Sequence, residues 1–187
     1  MSSIDLIDEE IILNPKRYIV SKTDAKGVIT YGNDYFVEIS GYKESELMGK
    51  PHSIIRHPDM PGVIFKLLWS RLHSNQGMVA VIKNLAKDGR YYWVTTEFEI
   101  KKDKLTNEII GYTAFRQAAP KQVVKEMDSL YQKLNDIEKS TSIEDSEKYL
   151  MGYLEDKGLS YDEYINQIVG NKGIFKLFFT AMKKIFG

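Results

Sequence analysis

The chain has 187 residues, enough for one ordinary domain and some additional helices, and its 43% hydrophobic and 12% aromatic content supports a real core. The 26 basic and 26 acidic residues cancel, so there is no electrostatic footprint for nucleic acid. The absence of cysteine excludes a disulfide framework, cysteine-type zinc sites and a thiol nucleophile.

Residues 1–16 are acidic and lack the basic-then-apolar layout of a signal peptide. No run approaches the ~20 apolar residues that span a bilayer, so a soluble, cytoplasmic protein is expected. The first strand is expected at Arg17–Ser21, where Tyr18 and Val20 alternate with polar neighbours. A turn at Asp24–Gly27 and a second strand at Val28–Tyr31 complete a hairpin. Helical pieces follow at Asp34–Ile39, Glu44–Leu47 and Gly62–His73. In the last of these Val63, Ile64, Leu67, Leu68 and Leu72 make an apolar stripe, with Phe65 and Trp69 on its edge. Strand patterns return at Met78–Leu85, Arg90–Ile100 and Ile109–Gln117, the first two joined by the hairpin signal Asp88–Gly89.

Two strands, several short helices and three more strands describe an α+β fold on one five-stranded antiparallel sheet. The chain divides into an N-terminal cap (1–16), a sensor domain (17–118) and a helical tail (119–187). Thr30–Pro61, followed by FKLLW at Phe65–Trp69, IKNLAKDGRYYWV at Ile82–Val94 and IIGYTAFR at Ile109–Arg116, closely resembles the PAS sensor domain of bacterial aerotaxis receptors. That resemblance implies non-covalently held FAD whose redox state is reported to the chemotaxis machinery. Without a membrane anchor or signalling region in these residues, the chain looks like the separate sensor half of a bipartite energy-taxis system. Its partner would then be a membrane-bound chemotaxis transducer.

By the same resemblance Asn33, Arg56, His57, Asp59, Phe65, Trp69 and Asn84 fall where the family lines or supports its flavin pocket. Each also has a plainer reading. Asn33 suits the cap of the first helix, and Asp59 the start of the third, with Pro61 in its first turn. Arg56 suits a flavin phosphate or a surface ion pair, and His57 a bond to the flavin or the stability of its own loop. Phe65 and Trp69 suit a cofactor wall or plain core. Asn84 is expected to face the ring edge with Ile82 turned the other way. Met78 stands where the family pattern calls for tryptophan; its thioether can pack on a ring system but cannot stack. FMN, haem and a pocket filled by side chains are therefore alternatives to FAD, with His52, His57 or His73 as the axial ligand in the haem case. A cysteinyl–flavin photoadduct is excluded.

In the tail, Val123, Met127, Leu130, Leu134 and Ile137 recur at spacings of four and three, a short heptad seam expected to pair two subunits, with packing back on the sheet as the alternative. Ser142 and Ser160 read as helix caps, and Gly158 as a helix end. Ile174–Phe186 forms an amphipathic segment with four phenylalanines opposite Lys176, Lys183 and Lys184. It suits a membrane surface, a partner's groove or the chain's own body. With no nucleophile–base pair, phosphate loop or metal cluster in the sequence, a non-enzymatic sensor is expected.

Overall fold

The computed structural model describes residues 4–170; the amphipathic segment Ile174–Phe186 lies outside them. Five strands form one antiparallel sheet: β1 (Ile19–Asp24), β2 (Ile29–Gly32), β3 (Met78–Leu85), β4 (Tyr91–Lys102) and β5 (Ile109–Ala118), in the order β2-β1-β5-β4-β3. Between β2 and β3 come α1 (Asp34–Ser40), α2 (Glu44–Leu47), a 3-10 turn at His52–Ile55 and α3 (Gly62–His73). After β5 come α4 (Lys121–Ser140), α5 (Ile143–Asp156) and α6 (Tyr161–Val169).

Most expected elements are present, with shifted ends. β1 begins at Ile19 because a turn closed by Arg17 N and Asn14 O takes up the residues before it. It continues to Asp24, held by β5 up to the Asp24–Gly111 pair, although its apolar alternation has ended by Ser21. The hairpin at Asp88–Gly89 works as its glycine suggests, with Gly89 at φ +97° and Ala86 N bonded to Arg90 O at 2.8 Å.

Alternation gives the sheet two faces. Ser21 and Thr23 of β1, Ile82 and Asn84 of β3, Phe98 of β4, and Tyr112, Ala114 and Arg116 of β5 point toward α3. Ile82 and Asn84 therefore share a face, because residues two apart on a strand must; the expectation that they oppose each other is corrected. Lys83 and Trp93 point to the opposite face, where Val124 and Asp128 of α4 meet them.

The seam of α4 packs within its own chain. Val123, Met127, Leu130 and Leu134 are buried within the single chain, at 2%, 0%, 5% and 0% exposure. Tyr131, between them, donates to Val81 O at 2.7 Å and stacks on Trp93, with ring centroids 6.2 Å apart. The seam's apolar residues are too few for a free coiled coil, and the sheet offers them a larger surface to bury.

α4 and the helices after it also grip α3. Glu138 accepts from Gly62 N (2.8 Å) and Val63 N (2.9 Å), capping a helix whose own N-cap, Pro61, supplies no side-chain acceptor. Lys66 pairs with Glu144 and Glu147, and Arg71 with Asp162. Asn135 donates to the Asp59 carbonyl.

Candidate ligand cavity

Between α3 and the inner face of the sheet lies a cavity of about 260 Å³. α3 contributes Phe65, Leu68, Trp69 and Leu72, spaced so that one helical face lines it. The sheet contributes Ile82, Asn84, Phe98, Tyr112, Ala114 and Arg116, and the β2–α3 connection adds His52, Ser53, Ile55 and Arg56. Trp69 meets Tyr112 edge to face at 5.6 Å. Gly27, at φ +79°, lets the backbone pass beneath the indole; a β-carbon there would stand 3.1 Å from Trp69 Cη2.

One end of this apolar space is polar. Arg116, 3% exposed, donates to Ser21 Oγ at 2.9 Å and to His52 Nε2 at 2.9 Å. A guanidinium only donates, so Nε2 carries a lone pair and His52 is neutral. Burial, and then the Arg116 charge, bring the imidazole down to about 3. The ring also stacks on Phe36, with centroids 5.8 Å apart. Burial lowers Arg116 itself to about 10, and no carboxylate among the described residues forms an ion pair with it. Asn84, 4% exposed, sits opposite Tyr92 on β4, and its side chain meets the buried Tyr92 hydroxyl.

Of the residues singled out in the sequence, Arg56, Phe65, Trp69 and Asn84 meet at this cavity. Arg56 lies over the Phe65 ring, 3.9 Å from its centroid, and its backbone pairs with Asn84. His57 and Asp59 lie elsewhere. The chain crosses the edge of β3 at Arg56, and the next residues face a second cleft with Lys83 and Asp128. There Asp59 N donates to His57 Nδ1 at 3.1 Å, and Lys83 Nζ lies 2.7 Å from Asp59 Oδ2. Burial, then Lys83, lower the His57 imidazole to about 4.

Asn33 caps α1 as its plainer reading held. Its Oδ1 accepts from Phe36 N and Val20 N, and its Nδ2 donates to Tyr18 O, so one side chain ties α1 to β1. Met78 is buried on the inner face opposite Phe98 but stands outside the cavity wall, which Phe98 reaches instead. His73, its ring tilted against Trp69, lies outside it as well.

Arg116 and Ser21 escaped the sequence reading. A charged residue two places from Ala114 and four from Tyr112 on a buried strand was the available signal, since period-two spacing sets all three on one face.

Among the described residues, no helix is long and apolar enough to cross a membrane. Residues 29–114 match a family model described as PAS fold. Over 119 residues the chain is 35% identical to the aerotaxis receptor of Escherichia coli, covering 63% of this chain and 23% of the receptor. It is 26% identical over 81 residues to a biofilm dispersion protein of Pseudomonas aeruginosa, covering 43% of this chain and 19% of that protein. The chain thus spans under a quarter of either relative. In fold it resembles the light-state structure of the blue-light photoreceptor Aureochrome1 LOV, with a TM-score of 0.53 and 16% identity over 64% of this chain and 91% of that one. With this strand order and this matched stretch, residues 29–114 carry a PAS fold.

Proposed function

We propose that this protein is a non-enzymatic flavin sensor that holds the ring system of FAD between α3 and the sheet and passes its state to a separate, membrane-bound chemotaxis transducer. The observation that carries the reading is the cavity itself, apolar and aromatic along α3 and polar where Arg116, His52 and Asn84 converge. Ligand sites of this kind combine an apolar slot with a few placed polar groups. At about 260 Å³ the enclosed space suits a flat ring head rather than a whole dinucleotide. Lys26 and Arg56, exposed at the rim, are the cations available to phosphates. FAD, rather than FMN, rests on the resemblance to the aerotaxis family. When bound, a flavin supplies reversible redox chemistry; the residues here position it and exclude water.

The route outward follows α3. Its cavity face carries Phe65 and Trp69, while its first turn and its Lys66 and Arg71 side chains are held by α4, α5 and α6. A shift of α3 driven by the ligand therefore reaches the tail directly, a local event biasing a packed element.

An absorption spectrum of gently purified protein tests the reading. Paired bands near about 370 and 450 nm, lost in Trp69→Ala, are expected. A bare spectrum that added FAD does not change, or a sharp band near about 410 nm, would overturn it. His52, the cavity histidine, already gives its Nε2 to Arg116.

A further inference from the structure

The outer face of the sheet is covered unevenly. On its β3 side α4 meets Val81 and Trp93, and α6 packs against β3. Among the described residues no helix makes an extended contact with β5. Yet Phe115 of β5 and Val20 of β1, which alternation turns outward, are 1% and 0% exposed. Neither belongs to the apolar cluster that α3 and α4 complete. Apolar residues this well shielded point to one more layer on this face.

The face forms a row across four strands: Val79 stands opposite Glu97, Glu97 opposite Phe115, and Phe115 opposite Val20. The row starts on β3, where α6 packs, and Glu99 lies beside it on the same side of β4. Residues 171–187 follow α6 directly; they carry Lys172, Lys176, Lys183 and Lys184 and no acidic residue, and their apolar side chains gather on one side at helical spacing. Their length suffices. The three linking residues 171–173 reach about 10 Å, and residues 174–186, coiled as a helix, would span about 20 Å. Four strands at about 4.8 Å spacing make the row about 15 Å wide.

We propose that Ile174–Phe186 docks across the outer face of β4, β5 and β1, its apolar side on Phe115 and Val20 and its lysines toward Glu97 and Glu99. The chain's own last segment thereby closes the face that α4 leaves open. The sheet separates this surface from the cavity, so the docking stands apart from the flavin reading.

The test uses the full chain, whose lack of native cysteine makes every introduced pair unambiguous. Thr113→Cys, on the outer face beside Phe115, is combined in turn with Ile174→Cys, Phe178→Cys, Ala181→Cys and Ile185→Cys. Thr180→Cys, on the segment's polar side, serves as the control. A disulfide needs β-carbons about 3.5–4.5 Å apart, so only a docked segment closes one. Under mild oxidation at micromolar protein, at least one apolar-side pair is expected to close within a single chain, keeping the monomer mass and migrating faster on a non-reducing gel. The control pair is expected to stay open. Charge reversal at Lys176, Lys183 and Lys184 is expected to slow the closure several-fold, because like charges then face Glu97 and Glu99; an unchanged rate overturns this placement of the lysines. Disulfides formed only between two chains overturn the proposal in favour of a second copy on this face. No closure in any pair overturns it too, and pelleting of the wild type with phosphatidylglycerol vesicles would then assign the segment to a membrane surface.

Discussion

Replacing Glu138 tests whether the tail and the cavity form one mechanical unit. The Glu138 carboxylate is the acceptor for the first two free N–H groups of α3, although it lies 76 and 75 residues away in sequence. Losing a side-chain cap costs about 0.5–2 kcal/mol, and losing a negative charge at a helix N-terminus costs about 0.3–1 kcal/mol more. Two N–H groups lose their acceptor here, so Glu138→Ala is expected to cost about 2 kcal/mol. Glu138→Gln, which keeps one carbonyl acceptor, should cost roughly half of that. At this chain length the alanine variant should melt about 4–8 °C lower, read by circular dichroism. Gly62 gives an internal control, since an added β-carbon there would stand 3.1 Å from Glu138 Oε2 and 3.1 Å from Ile143 Cδ1. Gly62→Ala should therefore destabilise the wild type yet cost clearly less in Glu138→Ala, a non-additive pair. A melting temperature within about 1 °C of wild type for Glu138→Ala, with additive behaviour in the cycle, would refute the reasoning.

Two further outcomes follow from packing and charge. Leu134, fully buried under the tail, should cost about 2–5 kcal/mol on truncation to alanine without a change in oligomeric state by light scattering; dissociation of a dimer in that variant would restore the seam to a subunit interface. His52 and His57 hold their imidazoles at about 3 and about 4, below the ordinary 6.5. Above pH 6.5 both rings are neutral in folded and unfolded chains, and their contribution is fully present. As pH falls from about 6.5 toward 4 the unfolded chain protonates first, so stability declines. The urea midpoint should fall between pH 7.5 and 5, and less so in His57→Gln. Equal midpoints at the two pH values in the wild type would contradict this.

The architecture was readable because each strand and helix announces itself locally. Asp88–Gly89 marks a hairpin, and the stripe of α3 repeats at helical spacing. What escaped was decided by tertiary pairing. The run Ser21–Asp24 is polar in sequence, and only the β5 ladder makes it strand. The four-three spacing of α4 fits a coiled coil and a helix lying on a sheet equally well, and the exposed apolar partners of the sheet decide between them. At the site, Phe65 and Trp69 were visible as aromatics on the edge of a helical stripe. Arg56 and His57 look like one motif, yet the edge of β3 divides them between two clefts, a separation that no residue type reveals. Arg116 was hidden because an arginine near the end of a strand looks like a surface residue until the sheet is closed around it.

The stacking of Tyr131 on Trp93, with its hydrogen bond to Val81, bears on how this protein can be cut. The recognisable PAS segment ends near β5, but the outer face of its last strands is finished by α4. Shortening the chain at Ala118 would turn the Trp93 indole and the Val81 backbone toward water as part of an open apolar patch. Such a patch recruits another copy or an aggregate. The unit that folds is thus longer than the unit that is recognised, and a splice at Pro120 that grafts this sensor onto a foreign output would remove part of its own core.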